Sequence, residues 1–514
     1  MQDFIARHRS KIIGALRGFD RILFRGCLSR LLYPEGVAAF LNRQGCLLKD
    51  FGHFVQATTG ALRTLATAAA VRLGRPVHYL ESSSVSKEEV ARKYFTESPV
   101  KKGLVCMLSC VEPCMTWQVF RSRENKTQEL RRKWAKCLHH YFYLIDPDFG
   151  WMHVRVQTWM PYTVQICMNG REWLGRQMDR VHLRHERADN CFLSIKDPDR
   201  AQAIFDGMLT LPWDRILNGF VEQVHPSLLT VAEHAEGSYY WTLHQCEFAT
   251  DVMFKSPEDL ARLYGGFARH AISDLGSRDT MRFLGKPVVS TYRGEVVTNY
   301  KHRPEGICVR HRCGKNSIKM YDKMGSVLRI ETTTNDPSQF KRRRRAGGDP
   351  DSPVKWRPLR KGLADLKARA QASDKANDAY LQDLATVADD RKVSEVVGSV
   401  LRRTQLGNRK VRALRPWSDP DLPLLRAINN GGFITNGFRN KDLLPILFPA
   451  LTDPVGRRRA SAKITRLLRI LRAHRIIERV EGTHRYVVTA FGRSLITAVL
   501  STNDAPISQL RKSA

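Results

Sequence analysis

Between about residues 238 and 335 the chain is a succession of short alternating runs separated by tight turns, and that pattern leaves few architectures open. YYWTLHQCEFATDVMF, GEVVTNYKHRP, EGICVRHRCGK, NSIKMYDK and SVLRIETTTN read as strands, with SPEDLARLYGGFARHAI as a helix after the first. Strands joined by turns this short pair antiparallel. The block therefore predicts an α+β domain with a mostly antiparallel sheet. Residues 101–170 carry a related signature in GLVCMLSCVEP, CLHHYFYLID, GWMHVRVQTW and YTVQICM, broken by DPDFG and by Met160-Pro161.

A chain of 514 residues suggests about three domains, and 42% hydrophobic residues is enough to build cores. We divide it as follows: residues 1–100 are mostly helical, 101–236 form an α+β nucleic-acid-binding region, and 237–336 form a candidate catalytic domain. Residues 337–419 are a basic linker with a polar helix at about 357–389. Residues 420–500 run helix, helix, strand, strand, helix, an order that resembles winged-helix DNA-binding domains. No repeat of 20–50 residues is present. The expected fold class is multidomain α+β, with a central, mostly antiparallel sheet domain and a C-terminal winged helix.

The charge balance narrows the partner. Lys and Arg number 84 against 51 Asp and Glu, a net +33. Such an excess calls for a polyanion, and nucleic acid is the common one, with DNA favoured and RNA open. No run of 18 apolar residues occurs, so no membrane span or membrane partner is expected. The 11 scattered cysteines form no disulfide framework. Cys106, Cys110, Cys114 and Cys137 lack the spacing of zinc sites and read as buried thiols, which fits a cytoplasmic, bacterial nucleoid-associated protein.

Three stretches are suited to nucleic acid. Lys341, Arg342, Arg343, Arg344 and Arg345 are consecutive cations in a segment poor in apolar residues, suited to phosphate contacts. In RRRASAKITRLLRILRAH, Ile464, Leu467, Leu468 and Leu471 form an inward stripe, and Arg458, Lys463, Arg466 and Arg469 an outward face; His484, Arg485 and Tyr486 would lie at the wing. Trp151, His153, Arg155, Gln157 and Trp159 alternate onto one face, either a platform for stacking unpaired bases or a layer buried in the core. His139 and His140, being adjacent, face opposite ways and read as ordinary sheet histidines.

Two strands carry the chemistry. Alternation places Glu247, Ala249 and Asp251 on one face, a carboxylate pair of the kind that holds Mg²⁺ or Mn²⁺. It also gathers Lys319, Tyr321, Lys323, Arg329 and Glu331 on one surface of the following hairpin. A tyrosine can attack a phosphodiester when neighbouring cations favour its anion.

These segments resemble rolling-circle replication initiators of plasmids and filamentous phages, and the related conjugative relaxases. Such proteins carry two acidic residues four apart, a strand ending in (I/L)Y(D/N/E)K, and a strand of the type LRxE. Here the three read Glu247-x-x-x-Asp251, Met320-Tyr321-Asp322-Lys323 and Leu328-Arg329-Ile330-Glu331, in that order. The resemblance covers about residues 238–335. It implies Tyr321 as the nucleophile that nicks DNA and stays joined to the 5′ phosphate, and acidic residues that bind the metal. The family usually has Asp where Glu247 stands, and its His-hydrophobic-His strand is missing; His302 and His311 fall on different strands. The expected function is metal-dependent strand nicking by a mobile-element protein of the replication-initiator, relaxase or transposase type. Catalysis would rest on Tyr321, Lys319, Lys323 and Arg329, with metal on Glu247, Asp251 and Glu331. The alternatives are a hydrolytic nuclease that uses metal-activated water, and a non-enzymatic DNA- or RNA-binding protein or regulator.

Overall fold

The structure is a computed structural model of the chain. It describes all residues except 122–126, 287–293, 304–305, 348, 388–392, 431–432, 434–436, 482 and 506–514. It is of mixed α+β class, with mostly antiparallel sheet and many helices. The chain divides into two units. The first comprises Leu16–Phe248 and Arg360–Lys367, the second Met1–Ala15, Ala249–Leu359 and Ala368–Ala514.

The first unit is built on long strands: β1 (Ile12–Leu28), β2 (Val77–Leu80), β3 (Gly103–Arg121), β4 (Gln128–Asp146), β5 (Gly150–Gln157), β6 (Val164–Asn169) and β9 (Tyr239–Phe254). Their order is β9–β1–β6–β5–β4–β3–β2. The ladders β1–β6, β3–β4, β4–β5 and β5–β6 are antiparallel, and β2–β3 is parallel. A separate hairpin joins β7 (His185–Ala188) to β8 (Cys191–Ile195).

β1 departs from the helical N-terminal region that the sequence suggests. From Leu16 to Leu28 the even positions are buried and most odd ones are not. A period of two over that length is a strand pattern, but the arginines and glycines that interrupt it hide it. Helices at Pro34–Arg43 and Phe51–Arg72 follow as expected.

The second unit pairs β10 (Val296–Arg303), β11 (Gly306–Cys313), β12 (Asn316–Lys323) and β13 (Val327–Thr334) in sequence, all antiparallel, with residues 249–254 of β9 beside β13. One face of these strands is apolar. Val252, Phe254, Ile318, Met320, Leu328 and Ile330 pack against Leu260 and Phe267 of the Pro257–Ser273 helix, and against Tyr380, Leu381 and Leu384 of the Leu366–Val387 helix. The latter helix falls where the sequence suggests a polar helix within a linker. Its buried side chains include five alanines and the polar Arg369, Ser373, Asn377 and Asp383, so a buried helix face carries little apparent hydrophobicity.

The basic run is not a bare linker either. β14 (Lys341–Arg344) pairs with β15 (Lys355–Pro358) as a two-stranded hairpin. Beyond it, residues 396–499 hold a core of their own, from Val396 and Leu424 to Ile464, Leu468, Ile477 and Val499. The elements there run helix Asp421–Ile428, an isolated bridge at Phe438, helix Asn440–Leu447, helix Pro454–Ala473, then strands Ile477–Arg479 and Tyr486–Val488 and helix Ala490–Asp504. A smaller hairpin, Thr404–Leu406 with Arg409–Val411, precedes them. Among the described residues no helix is long and apolar enough to cross a membrane.

On the other face of β13, Arg329 is fully buried and grips Asp251 with two hydrogen bonds, Nε to Oδ1 at 2.6 Å and Nη2 to Oδ2 at 2.9 Å. Removing one partner of such a pair leaves a buried charge with nothing to balance it. Arg329→Leu is therefore expected to destabilise the second unit by ~3–5 kcal/mol, against a change within ~0.5 kcal/mol for exposed Arg466→Leu, as read from urea denaturation of the full chain.

Candidate functional site

The β12–β13 register sets Tyr321 opposite Arg329 and Lys319 opposite Glu331. Facing residues share one side of the sheet, so the hairpin does gather the group that the sequence suggests. Glu331 is at its centre and only 2% exposed. Its Oε2 accepts from the Tyr321 hydroxyl at 2.7 Å, and its Oε1 from Lys319 Nζ at 2.5 Å. Burial by itself would raise the Glu331 pKa, but the Lys319 charge and these hydrogen bonds outweigh it, and the net shift is downward. The exposed Arg303 guanidinium lies 5.8 Å from the centroid of the half-buried Tyr321 ring.

Two other residues proposed for this site are occupied with each other. Both oxygens of Asp251 are engaged by Arg329, and neither residue reaches solvent. Asp251 as a metal ligand and Arg329 as a charge that reaches a phosphate are thus replaced by a buried ion pair. Alternation shows which face a residue is on, but not that two charges on neighbouring strands neutralise each other. Lys323 is half-buried at the end of β12. His311 is fully buried, with Nδ1 at 2.9 Å from the Thr298 hydroxyl and Nε2 at 3.0 Å from that of Tyr380, while His302 is exposed on β10.

In the first unit, Glu247 has a partner that sequence reading missed. A carboxylate oxygen of Asp20, on β1, lies within 4.8 Å of one of Glu247, on β9. Asp20 is buried and accepts from the side-chain amides of Asn169, at 2.8 Å, and Asn190, at 2.9 Å. Its signal is in the sequence: along the buried row Leu16, Gly18, Asp20, Ile22, Phe24, Gly26, Leu28 it is the only charged residue. Two carboxylates this close, with Asp20 oriented by amide donors, are hard oxygen ligands, so Asp20 and Glu247 fit Mg²⁺ or Mn²⁺.

The proposed base-stacking platform is filled by protein. Arg92 lies 3.9 Å from the Trp151 ring and Phe95 packs edge-on against it at 5.6 Å, both from the Lys87–Glu97 helix. The Arg155 guanidinium is held by Glu112 at 2.7 Å and by Gln165 at 3.0 Å. Trp159 lies past the end of β5. Trp151 and Arg155 thus follow the packing alternative that the sequence also allows.

The basic segments are better placed. On the Pro454–Ala473 helix Ile464, Leu467, Leu468 and Leu471 are buried, while Arg458, Lys463, Arg466 and Arg469 are exposed. Lys463, Arg466 and Arg469 line a groove of about 540 Å³ together with Lys410, Arg412 and Arg415. A second groove, of about 360 Å³, is lined by Lys341, Arg342, Arg343, Lys375, Trp356 and Arg485, among others, with no carboxylate among the described residues of its walls. Arg344 ends the same strand half-buried, and Arg345 follows it exposed. Arg485 is not free at a wing tip: it stacks 4.1 Å from the centroid of Trp356 and donates to the Gly437 carbonyl at 2.7 Å. Trp356 carries no sequence signal of its own, because only the β14–β15 pairing brings it there.

No family model, curated protein or solved structure matches the chain.

Because its folded pKa lies below the unfolded value of ~4.3, Glu331 stabilises the fold above that pH. That contribution is lost as the pH falls through the folded pKa. Glu331→Gln is expected to flatten the acid limb of the stability curve below about pH 4.3, as measured by circular dichroism against pH.

Proposed function

We propose that the chain is a nucleic-acid-processing protein that nicks a DNA strand with Tyr321 as the nucleophile. The observation that carries this reading is the Tyr321 hydroxyl donating to the buried Glu331 carboxylate, with Lys319 on the same carboxylate and Arg303 beside the ring. Glu331 orients the phenol and accepts its proton as the oxygen attacks phosphorus. Lys319 and Arg303 favour the phenolate and balance charge on the transferring phosphate. The tyrosine O–P bond forms as the bond from phosphorus to the 3′ oxygen breaks, and the 3′ oxygen takes a proton from solvent water, leaving a free 3′ hydroxyl and a 5′ phosphotyrosine. Within the first unit, Asp20 and Glu247 are the residues that would hold Mg²⁺ or Mn²⁺.

The winged-helix-like reading of residues 420–500 is part of the proposal. It is supported by the helix, bridge, helix, helix, hairpin order and by the exposed cations of the Pro454–Ala473 helix, the element that would enter the major groove. The carboxylate pair Asp20–Glu247 favours one rival, a hydrolytic nuclease in which that pair would hold a metal that activates water and Tyr321 only packs.

Tyr321→Phe removes the nucleophilic oxygen alone. It is expected to abolish a denaturant-resistant adduct with labelled single-stranded DNA in Mn²⁺, while affinity stays within about twofold. Strand breaks without any adduct, unchanged in Tyr321→Phe and lost in Glu247→Gln, would establish the hydrolytic rival. No strand breakage by the wild type would leave a binding protein. Arg466→Ala with Arg469→Ala is expected to weaken duplex binding and to reduce the slope of log affinity on log salt by about 1 for each phosphate no longer neutralised, as measured by fluorescence anisotropy across a salt series.

A further inference from the structure

Three side chains with metal-ligating atoms meet in the first unit, apart from the Asp20–Glu247 pair. Cys114 stands on β3, and Cys137 and His139 on β4. Their two sulfurs and an imidazole nitrogen all lie within 4.8 Å of one another. The residues are 6%, 4% and 1% exposed. The ladder explains the meeting. Cys137 and His139 are two apart and so share a face; Cys114 faces Ala135 while Glu112 faces Cys137, so Cys114 approaches the pair diagonally. His139 Nδ1 lies 3.1 Å from the Cys137 carbonyl oxygen and donates to it, which leaves the lone pair on Nε2. A backbone carbonyl bonded to the second ring nitrogen is a common way of orienting a ligating histidine.

In the structure the two sulfurs are joined as a disulfide, where the sequence suggests free thiols. The nine other cysteines stand outside any disulfide, and seven of those are buried. Thiols in that number go with a reducing compartment, where disulfides are rare and close cysteine–histidine groups more often hold metal.

We propose that Cys114, Cys137 and His139 form a zinc site when the two cysteines are reduced, with the disulfide as the oxidised alternative of the same pair. Two thiolates and an imidazole make up the protein ligands of a zinc site with one further position open. A dithiol reductant delivers two electrons and two protons, breaks the S–S bond and is itself oxidised to a disulfide; the two resulting thiols then release both protons as they bind the ion. The proposal is independent of the nucleic-acid reading, since none of its residues belongs to the hairpin or to the basic grooves.

The test uses the full chain, reduced with a phosphine, loaded with zinc and freed of excess. The expected result is about one retained zinc per chain, lost in Cys137→Ser and in His139→Gln and kept in Cys308→Ser, a buried thiol of the other unit. Cobalt in place of zinc should give the reduced wild type a thiolate-to-metal charge-transfer band, which keeps the test informative where a variant fails to fold. Thiols counted after denaturation should number eleven in the reduced protein. A full thiol count with no retained zinc and no cobalt band would overturn the proposal, as would zinc held equally by Cys137→Ser. A count that stays at nine under native reduction would also overturn it and leave a permanent structural disulfide.

Discussion

The second unit depends on a charge that has nowhere else to go. Arg329 is removed from water on β13, and its guanidinium remains protonated at any pH of interest. It can sit there only because Asp251, on the neighbouring strand, meets it with both oxygens. A slip of one residue between the strands would turn either side chain to the apolar face and strand both charges. The pair therefore fixes the register of β13, and through β13 the positions of Glu331, two residues further on, and of Tyr321, directly across the hairpin.

The same face illustrates two uses of an ionic contact. In Asp251–Arg329 the charges cancel and become part of the packing. In Lys319–Glu331–Tyr321 one carboxylate is shared by an ammonium and a phenol, and both donors are half-buried rather than sealed. The first contact is sealed from water on both sides, whereas the second leaves its two donors partly within reach of solvent.

The excess of positive charge is accommodated by segregation. The Pro454–Ala473 helix puts leucines and an isoleucine inward and keeps its cations on the outer side, so like charges repel across water instead of across the core. The β14–β15 hairpin alternates exposed and half-buried cations in the same way, and Arg485 is stabilised by the face of Trp356. Both cation-lined grooves lie where these segments come together.

The sequence by itself determined the α+β class, the antiparallel strands from Tyr239 to Thr334, the shared face of Lys319, Tyr321, Arg329 and Glu331, and the inward stripe of the Pro454–Ala473 helix. All of these are set by local periodicity, two for a strand and 3.6 for a helix, and periodicity is written in consecutive residues. Tertiary structure alone decided that Arg329 and Asp251 neutralise each other, that Asp20 stands beside Glu247, that Arg92 and Phe95 cover Trp151, and that Cys114, Cys137 and His139 converge. Each of these meetings joins separate strands or helices. Which neighbour a face receives depends on strand order and register, which no single segment encodes.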